Sequence, residues 1–331
     1  MIPPHIARRE NTKAAKYFTF VSEWDWHSVC NVLQSFLIQC ALSPANIEKE
    51  RCQVEVMKLN FHSLELGIHT KVNIILPTDR NPQFVKRERE LFQVLWLLHG
   101  GSDDCNDYIQ NTNVVRYALE NKIAVILPED NNAFYTDGYI QNGGKYFSYL
   151  TDELVRMCRS ILPLSNKRED NFIAGHSMGS GGAMKCAMLR PDLYSAALIM
   201  SGSGMRMHRP EDQWVAGFLE KVVNDEDISD YPAVEDPKRD VQMAIPFYNI
   251  LRDPGKKAAL PKFYFTCGGD DFLIDDVHKA FRFYDKMGLD YFYEEVPGYQ
   301  HEWDFWDLSL RKALKDWLPL RHAAIKTTEV E

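Results

Sequence analysis

The sequence predicts an α/β fold with a mostly parallel central sheet and helices on both faces. Three observations carry this. Short apolar runs of strand length alternate with segments of helical periodicity. The run Val94–Leu98 is apolar throughout, which suits a strand buried on both faces. The pentapeptide Gly175-His176-Ser177-Met178-Gly179 stands between an apolar run and a helix-forming segment. Strands alternating with helices imply right-handed crossovers and parallel pairing.

Taken in order, Lys71–Leu76 reads as a strand ending at Pro77, and Thr78–Glu90 as a polar loop. Val94–Leu98 is the next strand, bounded by His99-Gly100-Gly101. Asn113–Glu120 reads as a helix, and Ala124–Leu127 as a strand closed by Pro128. Leu150, Leu154, Met157, Cys158 and Ile161 fall at helical spacing. Asn171–Ala174 is a short strand, followed by a helix over Met178–Leu189 that stops near Pro191. Ala197–Met200, Lys262–Thr266 and Tyr291–Val296 read as strands. Asp276–Met287 and Glu302–Leu318 read as helices.

Two regions break the rhythm. Residues 203–259 carry no strand signal and are rich in Asp, Glu, Pro and Met. An insertion this long inside a compact domain is usually functional or has helices of its own, so about 203–259 is read as a small cap over the sheet's carboxyl edge. Residues 1–56 fit no part of the α/β pattern and are read as an N-terminal extension of uncertain structure. Residues 57–331 are read as the α/β domain that holds this insertion, and a chain starting at Met57 is expected to remain soluble and functional.

The net charge of −9 disfavours a nucleic-acid partner, which would call for a basic patch, and disfavours attraction to anionic membranes. The seven cysteines are irregularly spaced and include no CxxC pair, so neither zinc nor a redox motif is indicated. Reduced thiols in a reducing compartment are the simplest reading. The apolar stretch Val29–Leu42 is interrupted by Asn31, Gln34, Ser35 and Gln39. It is too short and polar to span a bilayer and reads as an amphipathic helix. A cytoplasmic location follows by default. Nothing in the sequence fixes an oligomeric state.

Gly175-His176-Ser177-Met178-Gly179 is a G-x-S-x-G sequence in the strand–turn–helix context of a nucleophile elbow. A serine on so tight a turn needs small neighbours two residues away on either side. The helix starting at Met178 aims its positive end at the site, where it favours developing negative charge. That fold requires an acid and then a histidine further along the chain. Asp270 and Asp271 both follow the strand Lys262–Thr266. Asp271 is preferred for its spacing from Gly268, and Asp270 reads as a turn or cap carboxylate. His301, in the loop between the last strand and the last helix, is the candidate base. His176 should point away from the elbow, His278 should lie on a helix surface, and His99 should shape a loop. An oxyanion hole needs two backbone N–H groups. Met178 supplies one, and Gly101, whose backbone can approach a substrate closely, is chosen for the other.

These stretches resemble the putative-esterase family of α/β-hydrolases. It takes in tributyrin-type esterases, S-formylglutathione hydrolases, feruloyl and acetylxylan esterases, and mycolyltransferases. The resemblance rests on LWLLHGGSDD (95–104), VILPEDNNAFYTD (125–137), KREDNFIAGHSMGSGGA (167–183), CGGDDFL (267–273) and PGYQHEWDFW (297–306). It implies a Ser177–Asp271–His301 triad and oxyanion donors at Gly101 and Met178, and it puts Phe134 and Tyr135 near the active-site mouth, either as substrate contacts or as core packing. The tributyrin-type branch implies short-chain acyl esters. S-formylglutathione and hydroxycinnamoyl esters remain alternatives, and a hydrolase-fold binding protein without turnover a further one. Ser180 departs from the family, which usually has a glycine there. No cofactor or metal is implied. The partner is a small-molecule ester, with no nucleic acid and no membrane insertion. Met205, Met207, Trp214 and Phe218 are candidates for an acyl or aryl pocket, or for ordinary cap packing.

Overall fold

The computed structural model describes residues 53–78, 91–140 and 143–322. The expected helix at Val29–Leu42, nearly all of the 1–56 extension and most of the 78–90 loop lie outside the described residues. Eight strands form one sheet in the order β1-β2-β4-β3-β5-β6-β7-β8. They are β1 (Gln53–His62), β2 (His69–Thr78), β3 (Gln93–Leu98), β4 (Ile123–Pro128), β5 (Asn171–His176), β6 (Ala196–Met200), β7 (Lys262–Gly268) and β8 (Tyr291–Val296). The β1–β2 and β2–β4 pairings are antiparallel, and every pairing from β4 to β8 is parallel. Each expected strand is present within a residue or two of its expected limits.

β3, β4 and β5 are buried at every position, because helices cover both faces of the sheet centre. The side chains of β3 divide accordingly. Val94, Trp96 and Leu98 join one apolar cluster, and Leu95 and Leu97 join the other. α1 (Val114–Asn121) and α7 (Trp303–Lys312) cover the second face through Val114, Tyr117, Phe305 and Leu310. α2 (Leu154–Ile161), α3 (Met178–Leu189) and α6 (Ile274–Met287) cover the first. Burying one such apolar side chain contributes roughly 1.5–3 kcal/mol, so the sheet centre dominates the apolar driving force.

The 203–259 stretch holds α4 (Gln213–Val223) and α5 (Ala244–Leu251), with no strand among the described residues. Both helices bury apolar residues, Val215 and Phe218 from α4 and Ile245 and Phe247 from α5, in the first cluster.

β1 differs from the sequence expectation. It begins at Gln53 and runs through Met57, the point at which the α/β domain was expected to start. From Glu55 to Phe61 its residues alternate between half-buried and exposed, as on an edge strand with one packed face. Met57, Leu59 and Phe61 pack on the first cluster. Their period-two alternation with Lys58, Asn60 and His62 is the signal for this strand. A chain starting at Met57 loses the pairings from Gln53↔Thr78 to Val56↔Ile75. It is expected to melt about 5 °C below one starting at Cys52, at roughly 1 kcal/mol for each lost backbone hydrogen bond. Equal melting temperatures would place the structural start of the strand at Met57.

Candidate active site

Ser177 sits at the turn between β5 and α3 with φ 52° and ψ −120°. A non-glycine residue in this region carries strain of about 1–3 kcal/mol and persists only where its surroundings enforce it. The enforcement is visible in the neighbours. A Cβ on Gly175 would lie 2.2 Å from the Gly179 carbonyl oxygen, and one on Gly179 would lie 2.4 Å from the Leu98 carbonyl oxygen. The Ser177 N–H donates to the Met200 carbonyl at 3.0 Å, tying the turn to the end of β6. Ser180, at the departure from the family pattern, donates its hydroxyl to the Ser177 carbonyl at 2.6 Å. It therefore fits the close packing there and adds a bond to the turn.

His301 reaches the same point from the loop after β8. Its Nε2 is 2.9 Å from the Ser177 hydroxyl oxygen, within reach for proton transfer. Its Nδ1 faces both carboxylate oxygens of Asp271, at 3.0 and 2.9 Å. Asp271 is buried at the carboxyl end of β7, whereas Asp270 is exposed. Burial works to raise the Asp271 carboxyl. The His301 ring and the Leu273 N–H outweigh it and hold the group below its ordinary range. The carboxylate is therefore charged where His301 needs an acceptor. The Cys267 thiol beside it is pushed well up by burial and by Asp271, so no thiolate competes at this spot.

Gly101, Met178 and Ser177 line one cavity of about 130 Å³, together with Phe134, Met205, Met243 and Leu273. The Met178 N–H stands at the first position of α3, where no carbonyl lies one turn back to accept it. Phe134 carries the guanidinium groups of Arg206 and Arg209 at 4.9 and 5.2 Å from its ring centre. Arg206 is in turn held by Asp212 at 2.6 Å. The sequence did not single out either arginine.

Tyr135, expected beside Phe134 as a substrate contact, is not among the residues lining the cavity. It is 2% exposed and donates its hydroxyl to the His99 carbonyl at 3.0 Å. Both residues have positive φ, 54° and 50°, and the tight turn sends the two side chains to different places. Among the insertion candidates only Met205 lines the cavity. Met207 and Phe218 are buried in the first cluster, and Trp214 stacks loosely on Tyr231. His278 lies on α6, paired with Glu295. His99 holds a loop rather than a proton-transfer position: its Nε2 accepts the Asp130 N–H at 3.1 Å.

The sheet order and the serine–histidine–aspartate arrangement define an α/β-hydrolase. The sequence profile of the family described as Putative esterase matches residues 63–246, and the chain belongs to that family. It is 28% identical over 274 residues to an acetyl esterase of Caldicellulosiruptor saccharolyticus, covering 80% of this chain and 97% of that protein. Among solved structures it is similar to fluorophosphonate-binding serine hydrolase F of Staphylococcus aureus, with 28% identity and a TM-score of 0.63. That match covers 79% of this chain and 97% of the other. It is also similar to an S-formylglutathione hydrolase of Staphylococcus aureus, with 28% identity and a TM-score of 0.60, covering 79% and 98%. The protein is an esterase.

The two neighbouring aspartates separate cleanly by mutation. Asp271→Asn is expected to lower kcat on p-nitrophenyl acetate roughly 10⁴-fold, because the amide forces the wrong imidazole tautomer. Asp270→Asn should leave it within about two-fold. The reverse order would reassign the acid.

Proposed function

We propose that the protein is a carboxylesterase that hydrolyses short-chain acyl esters through an acyl-enzyme on Ser177. The supporting observation is the continuous hydrogen-bonded line from the Ser177 hydroxyl through His301 to Asp271. Ser177 Oγ attacks the ester carbonyl carbon as His301 Nε2 takes its proton. Asp271 fixes the ring so that Nε2 is the free base, and it stabilises the imidazolium that forms. The N–H groups of Gly101 and Met178 donate to the oxyanion of the tetrahedral intermediate. Collapse expels the alcohol with the proton from His301. Water, deprotonated by the same histidine, then cleaves the acyl-enzyme.

A short acyl group is supported by the cavity beside Ser177. At about 130 Å³ it is well below the size of sites that enclose drug-sized ligands, roughly 300–1,000 Å³. Phe134 and Met205 supply apolar wall. The 203–259 insertion acts as a cap, since it contributes Met205, Arg206 and Met243 to this wall. The similarity to an acetyl esterase supports the same reading.

A second reading, S-formylglutathione hydrolysis, draws support from Arg206 and Arg209 at the cavity, which suit an anionic thioester. We further propose a cytoplasmic location. The described cysteines 105, 158, 186 and 267 are unpaired and buried, as suits a reducing compartment. No helix among the described residues is long and apolar enough to cross a membrane.

The test is a profile over p-nitrophenyl acetate, butyrate and octanoate, with S-formylglutathione in parallel. The highest kcat/KM is expected on acetate or butyrate, with a steep fall at octanoate. Ser177→Ala should lower kcat roughly 10⁵- to 10⁶-fold. Turnover that survives Ser177→Ala would refute the mechanism. A thioester rate far above every oxygen-ester rate would select the second reading.

A further inference from the structure

The buried histidine that precedes the nucleophile is not part of the serine–histidine–aspartate line, yet it is fully bonded. His176 Nδ1 lies 2.7 Å from the Tyr108 hydroxyl, and Nε2 lies 2.9 Å from Asp103 Oδ2. The same Asp103 oxygen accepts the Gly100 N–H at 3.1 Å. The ring stacks on Trp306 at 3.9 Å and meets the edge of Trp303 at 4.8 Å. Burial pushes the imidazole down to about 4, against the pull of Asp103, so the ring is neutral near pH 7. A neutral ring has one N–H. It belongs on Nε2, facing the carboxylate, while Nδ1 accepts the Tyr108 hydroxyl proton. The direction of every bond in the chain Tyr108–His176–Asp103–Gly100 is thereby set.

This chain ends on the loop that carries Gly101. The amides on either side of Gly101 are both held by side chains: Gly100 by Asp103, and Ser102 by Asn132 Oδ1 at 2.7 Å. Gly100 also packs so tightly on His176 that a Cβ there would lie 2.5 Å from Nε2. The residue immediately before Ser177 therefore grips the residue immediately before Gly101. Met178, the residue immediately after Ser177, carries the other proposed donor.

We propose that His176 and Asp103 are positioning residues for the hydrolysis: they lock the Gly101 amide onto the turn that carries Ser177, so both oxyanion donors are registered to one piece of backbone. This rests on the esterase reading, with Gly101 as an oxyanion donor. The pair touches no reacting atom. It acts by keeping the donor where charge develops, and a displacement of about 1 Å there is enough to cost roughly 100-fold. The requirement on Asp103 is one oxygen that accepts two N–H groups, and it does not require a charge. Asparagine can supply that oxygen and alanine cannot.

The experiment compares Asp103→Ala, Asp103→Asn and His176→Phe, the last keeping the ring stack on Trp306. Readouts are kcat and KM on p-nitrophenyl acetate, the inhibition constant of an alkylboronic acid, and the melting temperature. A boronate adduct is tetrahedral at Ser177 and places an oxygen in the oxyanion hole. Asp103→Ala and His176→Phe are expected to lower kcat about 10- to 100-fold with KM within two-fold, and to weaken the boronate by a similar factor. Asp103→Asn should recover kcat to within about three-fold of wild type. Folded Asp103→Ala or His176→Phe protein with wild-type kcat would overturn the proposal. So would Asp103→Asn as impaired as Asp103→Ala, or a loss confined to KM. If Asp103→Ala does not fold, the His176→Phe and Asp103→Asn results decide by the same criteria. Absence of ester hydrolysis by the wild-type enzyme would instead remove the esterase reading itself.

Discussion

The backbone at Ser177 is the constraint from which the site follows. A serine held at φ 52° and ψ −120° puts its hydroxyl at the apex of a turn, clear of both flanking elements. The strain of about 1–3 kcal/mol has to be offset by surroundings that leave no alternative. Here the helix start is pressed against the Leu98 and His99 carbonyls at the end of β3, a contact that only glycine at 179 permits. That contact brings the start of α3, with its unpartnered N–H, next to the loop that follows β3. The β3–β5 pairing, in register up to Leu98↔Gly175, fixes the distance between the two. The elbow and the facing loop are thus one construction, determined by two adjacent strands of a fully buried sheet centre.

The other members of the site are held from neighbouring parallel strands. Asp271 leaves the end of β7, and His301 arrives after β8, so the carboxylate and the imidazole come from adjacent strand ends. Trp306 joins these parts. It stacks on His176, meets His301 edge-on at 5.1 Å, and donates its indole N–H to Ser201 at 2.9 Å. One buried indole therefore touches the histidine that precedes Ser177 in the chain and the histidine that meets its hydroxyl. Phe272, 71% exposed, lies 4.6 Å from His301 on the solvent side and leaves the imidazole partly shielded. Two aromatic side chains with different exposures thus set the environment of the His301 ring.

Much of this was legible in the residues, for identifiable physical reasons. The strands at the sheet centre are apolar throughout because both faces are covered, and they stand out as runs. The limits of the helix Met178–Leu189 are legible to the residue because the elbow marks its start and Arg190-Pro191 its end. The choice of Asp271 over Asp270 followed from spacing to Gly268, and the structure brings that carboxylate to His301. What escaped depends on contacts distant in sequence. β1 is an edge strand whose signal is a short period-two alternation with a weak apolar face. Phe134 and Tyr135 are sequence neighbours with opposite fates, because two consecutive positive-φ residues redirect the chain, and no periodicity reports that. Arg206, stacked on Phe134 and paired with Asp212, is an ordinary charged residue until the insertion folds back over the site. His176 was expected to point away from the elbow. It does so, into the bonds that reach the loop facing it.

The central claim is that Ser177 is a nucleophile activated by His301. The most direct measurement is covalent trapping with a p-nitrophenyl alkylphosphonate, followed by peptide mass spectrometry. The expected result is a single adduct per chain on the peptide containing Ser177, with p-nitrophenol released in equal amount. Labelling should slow by orders of magnitude in His301→Ala. An adduct on any other serine, or a rate indifferent to the loss of His301, would contradict the account.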